Sequence, residues 1–294
     1  MSVLVLPTLL LACSRIPEAD EGLGDAAATM FADFDLDDAR VASVIRNLER
    51  EAYRDLDVDA DGPDLRGKSV SRLSRQDVDH LPERPDRDPG LTLAVLLAYG
   101  SAFGVDAHAQ IPVLKDQRPL EPQSPDHYDR TFLDGRACWR PRDCLWLATR
   151  QELTKVYPVA FINPLEYAFD KDYRWVDLAT TEDPEPRWAF IARSYTKREY
   201  VSGGGNNVLD QSYTVETWIP RDGRGFTWPS GPPEDRPEAG DSTGGGTLRL
   251  LVVWSEASIL GVDDPAIQEG VIRNGMNDNM NAHETWLVEH ENAG

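Results

Sequence analysis

The chain has 294 residues, with 30 Lys and Arg against 51 Asp and Glu and a formal net charge of −21. A balance this acidic repels phosphate backbones and anionic lipid surfaces, which argues against a nucleic-acid partner and against a polybasic membrane footprint. Hydrophobic residues make up 40% of the chain and eight residues are Trp, a composition that supports a packed core and excludes a wholly disordered chain.

In chain order, the first segment concerns processing. Val3 to Leu11 is apolar apart from Pro7 and Thr8, too short for a spanning helix, which needs about 20 residues. Followed by Ala12 and the polar, acidic run Ser14 to Asp20, it reads as a signal peptide. The stretch Leu10, Leu11, Ala12, Cys13 resembles the lipobox of bacterial lipoproteins. That resemblance implies cleavage before Cys13, acylation of its thiol as a membrane anchor and, with Ser14 beside it, an outer-membrane address facing the periplasm or the surface. The segment to Ala32, rich in Ala, Gly, Glu and Asp, is expected as a flexible tether. The expected organisation is a signal peptide over 1–12, a lipid-anchored tether over 13–32, an N-terminal helical and irregular region over 33–103, and an antiparallel sheet with a C-terminal helix over 104–294.

Asp37 to Tyr53 predicts a helix, with Val41, Val44, Ile45 and Leu48 at i, i+3, i+4, i+7 and Asp37 as N-cap. Asp57, Asp59, Asp61 and Gly62 match the opening of an EF-hand loop, but Lys68 stands where the closing Glu belongs. A solvated acidic loop is the expectation there, with weak calcium binding as the alternative. The apolar run Leu91 to Phe103 suits a buried helix or a buried strand, and periodicity does not choose between them.

Cys138 and Cys144, with five residues between them, read as a local disulfide in an oxidising compartment. From Cys144 onward, runs rich in aromatic and β-branched residues predict strands. They are CLWLATRQELTKVYPVAFI, LEYAF, YRWVDL, RWAFIARSYTKREYV, LDQSYTVETWIP and TLRLLVVWSEASIL. Turns are expected at Asp170 to Asp172, Thr180 to Pro186 and Ser202 to Asn207, with a long Gly/Pro-rich loop over Pro220 to Gly246. Asp264 and Pro265 open a long helix carrying Ile272, Met276, Met280, His283 and Leu287 at helical spacing. The fold class is therefore α+β, a curved antiparallel β-sheet packed on a long C-terminal helix, with an N-terminal helical region.

This order of elements over Leu145 to Glu291 resembles the helix-grip architecture of START and polyketide-cyclase-like proteins, which implies an apolar ligand held between sheet and helix. Through YDRTFLDGRACW, DYRWVDL, QSYTVETWIP and VVWSEASILGV, the whole chain resembles uncharacterised bacterial envelope lipoproteins, which implies location and no activity.

Catalytic chemistry has little to stand on. The five His form neither HExxH nor a zinc-ligand pair, YGSAFG around Ser101 lacks the upstream Gly of a nucleophile elbow, and the glycine runs SGGGNN and DSTGGGT lead into no helix with a Lys. His283 is expected to pack, His290 to be exposed, and His127, Tyr128 and Asp129 to lie in a loop. Glu216 and Glu256 suit acid/base work only if they face one cavity. The expectation is a protein without enzymatic activity, metal or cofactor. It would bind an apolar ligand or lipid lined by Trp175, Tyr195, Trp218, Trp254, Met276 and Met280, residues that ordinary core packing explains equally well. The alternative is a structural or protein-interaction envelope lipoprotein without a ligand pocket.

Overall fold

The structure, a computed structural model, describes residues 22–55, 68–140, 142–156, 163–221, 246–259 and 264–291. Cys13, the acidic loop at Asp57, Asp59 and Asp61, and residues 222–245 of the Gly/Pro-rich excursion lie outside the described residues.

The first elements among the described residues are α1 (Leu23–Ala32) and α2 (Asp38–Asp55). A tether was expected over the first of these, and a helix stands there. Leu23, Ala26, Ala27, Met30 and Phe31 are all buried and recur at i, i+3, i+4, i+7, i+8. That is one helix face, hidden in a composition of small and acidic residues. In α2 the Asp37 carboxylate accepts the Arg40 amide at 3.0 Å, the N-cap bond expected of it.

Among the described residues nine antiparallel strands form one sheet: β1 (Lys68–Ser69), β2 (Leu93–Ser101), β3 (Tyr128–Asp134), β4 (Trp146–Lys155), β5 (Leu165–Asp177), β6 (Trp188–Thr196), β7 (Tyr200–Val201), β8 (Asn207–Pro220) and β9 (Thr247–Ile259). The order is β1-β2-β9-β8-β6-β5-β4-β3, with β7 paired to β8. Short helices α3 (Arg75–Val78) and α4 (Val105–His108) sit in the connections, and α5 (Pro265–Glu291) closes the fold. Asp264 caps α5, its carboxylate accepting the Ala266 amide at 2.8 Å.

Three further expectations change. The apolar run in 33–103 supplies β2, which pairs with β9 from Leu93 opposite Ser255 to Ser101 opposite Thr247, so that region is part of the sheet. Its unbroken hydrophobicity reflects burial on both faces, since Ala94, Leu96 and Ala98 join one cluster and Val95, Leu97 and Tyr99 another. Asp170 to Asp172 is the middle of β5, not a turn: Arg150 on β4 and Lys197, just past the end of β6, hold Asp170 at 2.9 Å and 2.7 Å. His127 precedes β3, while Tyr128 and Asp129 begin it. The turn at Ser202 to Asn207 is as expected, with Gly205 at φ +69° supplying the left-handed step.

Alternate residues send the two faces of the sheet to different partners. Ile191, Tyr213, Val215, Leu250, Val252 and Trp254 pack against α1 and α2. Phe31 meets Tyr213 and Trp254 edge-on at 5.7 Å and 5.8 Å. The link between the two helices is clamped to this face by Arg174, whose guanidinium donates to the Phe34 and Leu36 carbonyls at 2.7 Å each. Arg193 pairs with Asp35 at 2.8 Å.

The other face lies under α5 and the loops before β4. Cys138 and Cys144 are disulfide-bonded, and the loop they close packs Trp139, 0% exposed, against the touching rings of Trp175 and Phe190. Gly135 enters that loop at φ +78°, where a Cβ would lie 2.0 Å from the Trp146 carbonyl, so only glycine fits. No helix among the described residues is long and apolar enough to cross a membrane.

Candidate functional site

The site is the space that α5 leaves above this second face. A cavity of about 220 Å³ opens between α5 and the strands from β4 to β9. On the roof, α5 contributes Val271, Ile272, Gly275 and Met276, and Leu153, Leu165, Phe169, Leu251 and Val253 supply apolar floor. The rest of the floor is hydroxylic: Ser194 on β6, Ser212 and Thr214 on β8, and Ser255 on β9. Ser194 stands opposite Thr214 and Ser212 opposite Ser255, so the four form a contiguous patch.

Toward the middle of the sheet the cavity becomes charged. Lys171 on β5 and Glu216 on β8 are ion-paired, and their remaining exposure, 16% and 11%, opens onto the cavity. Burial works against the Lys171 ammonium, but the adjoining Glu216 carboxylate outweighs it and holds Lys171 above the usual lysine value. Glu121, on the segment before β3, accepts the Asn279 amide of α5 at 2.7 Å, and burial raises its carboxyl pKa. Burial lowers Lys155, at the end of β4, from the ordinary lysine value. Tyr128 donates to Gln151 and is pushed well above a usual phenol by burial.

Beyond this charged layer lies a smaller space of about 40 Å³ bounded by His108, Arg130, Tyr173, Trp218 and His283. Burial, with the Arg249 charge nearby, depresses both histidines well below the ordinary value. His283 accepts from Arg249 at 3.2 Å. Next to it, Ser101 Oγ donates to Glu284 at 2.9 Å and lies 2.8 Å from His108 Nε2. This arrangement does not make Ser101 a nucleophile: the residue is 0% exposed and borders neither space. It joins the C-terminal half of α5 to β2 as a buried polar tie.

Among the six residues named from sequence as a lining, Met276 borders the cavity and Trp218 the inner space. Met280 packs beside Met276 in the apolar cluster under α5. Trp175 sits on the same face but inside the Trp139 cluster. Tyr195 and Trp254 point to the opposite face, against the N-terminal helices. Glu216 and Glu256 do not converge, because Glu256 pairs with Arg87 on the other side of the sheet.

Lys155, Lys171, Glu121, Tyr128 and the hydroxyl patch escaped the sequence reading. For Lys171 a signal existed: in β5 it occupies the same alternation as Phe169, Tyr173 and Trp175, and a charge at a core-facing position marks a functional or paired group. No group of three or more His, Cys, Asp or Glu among the described residues is placed to hold a metal ion.

No protein-family model matches the chain, and no curated protein matches it. Solved structures do. The STAR-related lipid transfer protein (fragment 25-204) from Xanthomonas axonopodis is 11% identical, covering 67% of this chain and 86% of its own, with a TM-score of 0.37. The lipid transfer and protein localization domain of human StarD13 (DLC2) is 11% identical, covering 82% and 95%, with a TM-score of 0.35. Ara h 8.0201 is 12% identical, covering 68% and 99%, with a TM-score of 0.30. These are similarities at low identity, and the reading of the site rests on its own residues.

Proposed function

We propose that this protein binds, without chemical conversion, a small ligand with a large apolar part in the cavity between the sheet and α5, and that it does so as a lipoprotein of the bacterial cell envelope anchored through Cys13. The observation that carries the binding reading is the cavity itself: a core built only for stability fills such a space, because each void forfeits packing contacts. At about 220 Å³ it lies just below the range of roughly 300–1,000 Å³ usual for drug-sized ligands. That size suits a single chain or ring better than a two-chain lipid. The Cys138–Cys144 disulfide fits an exported chain.

Native mass spectrometry of the gently purified protein tests binding: a bound small molecule released by denaturation is expected, and a mass equal to the bare chain under every condition counts against it. Intact mass and metabolic lipid labelling of wild type and Cys13→Ser test the anchor, with label expected only on the wild type.

A second reading has a specific observation behind it. Glu121, Lys155 and Tyr128 border one cavity and burial shifts each of them, and such groups are the material of acid–base catalysis. Recovery of a co-purified ligand in chemically altered form after incubation, abolished by Glu121→Gln, would favour catalysis over simple binding.

A further inference from the structure

Resting on that reading, we propose that the ligand is a single-chain organic carboxylate whose head sits against Lys155 and whose far end carries a polar oxygen that meets the hydroxyl patch of Ser194, Ser212, Thr214 and Ser255.

The argument starts from what is already satisfied. Of the two lysines bordering the cavity, Lys171 is neutralised by Glu216. Lys155 has no ion pair or hydrogen bond among the described residues, and its ammonium lies near the α5 backbone at Gly275, 3.4 Å from where a Cβ would stand. The half-buried ammonium feels the Glu121 and Asp278 charges only through space, so an arriving carboxylate finds there a cation with no direct partner. Glu121 borders the same space, held by the Asn279 amide at 2.7 Å, and burial raises its carboxyl pKa against the pull of the Lys155 and Lys171 charges.

The hydroxyl patch supplies the other end. The side chains of Ser194, Ser212, Thr214 and Ser255 find no hydrogen-bond partner among the described residues, although Ser194 and Ser255 are only 7% and 6% exposed. Their oxygens open onto the cavity and are not sealed in the core, so four hydroxyls on one cavity wall are available to a partner that is not protein. From β4 to β8 the sheet order counts three spacings, and the strand register sets Lys155 four residues along from the level of Ser212, so the two backbones are about 19 Å apart, and the reach of the lysine side chain leaves about 13 Å between the polar ends. The apolar stretch between, Leu165 and Phe169 below and Ile272 above, suits a hydrocarbon chain joining two polar ends.

Isothermal titration with decanoate, 10-hydroxydecanoate and 1-decanol distinguishes this proposal from the reading beneath it. The wild type is expected to bind decanoate about tenfold or more tighter than decanol, and 10-hydroxydecanoate tighter still. In Lys155→Met the preference for decanoate over decanol is expected to vanish, while Lys155→Arg keeps it. Circular dichroism melting of each variant establishes that it is folded. If decanol binds as well as decanoate, or Lys155→Met keeps the preference, the carboxylate assignment is overturned and the binding reading survives. If decanoate and 10-hydroxydecanoate bind alike, the hydroxyl patch is not the far-end site. If none of the three binds, both the inference and the binding reading fall.

Discussion

The same strands meet two different environments, and the contrast between their faces separates what stabilises this protein from what equips it to bind. On β8, Tyr213 and Val215 point into the contacts with α1 and α2, while Ser212, Thr214 and Glu216 point under α5. On β9, Trp254 and Val252 do the former and Ser255 and Val253 the latter. Neighbouring residues on one strand thus serve opposite ends: one set fills space with apolar volume, and the next leaves space and lines it with hydroxyls and charge.

Substitutions on each face test that division. The largest effect is expected from Phe31→Ala, which removes a fully buried ring touching Tyr213 and Trp254. A loss of about 3–5 kcal/mol in urea unfolding is expected, and a loss under about 1 kcal/mol would show that this face is not the packed one. Next comes Lys171→Met, which strands the Glu216 carboxylate against the cavity. About 3 kcal/mol is expected, with most of it recovered in the double variant Lys171→Met, Glu216→Leu, because the cost belongs to the orphaned charge. Equal losses in single and double variants would contradict that.

A smaller, pH-dependent effect marks the charged margin of the packed face. Burial, opposed by Arg193, raises the Asp172 carboxyl from its ordinary 3.8 to about 6. A carboxyl whose pKa is higher in the fold than in the open chain contributes stability in full below the unfolded value, and that contribution is lost as pH rises through the folded value. Asp172→Asn is therefore expected to gain on wild type across about pH 4 to 7, read as the difference in unfolding midpoint at each pH. A difference that stays flat or runs the other way would refute the shift. The smallest effect is Gly270→Ala on α5. A methyl there meets nothing within 4 Å, so about 0.5–1 kcal/mol of helix stabilisation is expected in thermal melts.

Much of the architecture was legible because it rests on local period and punctuation. The Asp264–Pro265 start of α5 and the apolar stripe of α2 follow from spacing, and the strands from β4 to β9 from aromatic and β-branched runs, save that β5 reads as two runs split at Asp170 to Asp172. The helix α1 was hidden because composition was weighed above period, and β2 because a run buried on both faces has no alternation to read. The site was less legible for a related reason. Period 2 tells which residues share a face, but not which face is filled and which keeps a gap, since both are apolar over much of their length. Tyr195 and Trp254 were grouped with Trp218 by residue type, whereas parity sends them to opposite sides. Lys155 and Glu121 come from a strand end and a connecting segment, so only the fold brings them to one cavity.

At the centre of the sheet, β8 and β9 border a cavity on the face under α5 and are packed against α1 and α2 on the other. Thr214 and Val215 are adjacent on β8, the first bordering the cavity and the second in the packed cluster. The most direct test is titration of the folded Thr214→Phe variant with 1-decanol, beside Val215→Phe as its partner on the opposite face. Thr214→Phe is expected to melt close to wild type and to lose decanol binding, while Val215→Phe loses about 1–3 kcal/mol of stability through overpacking. A Thr214→Phe protein that binds decanol as wild type does would contradict the account.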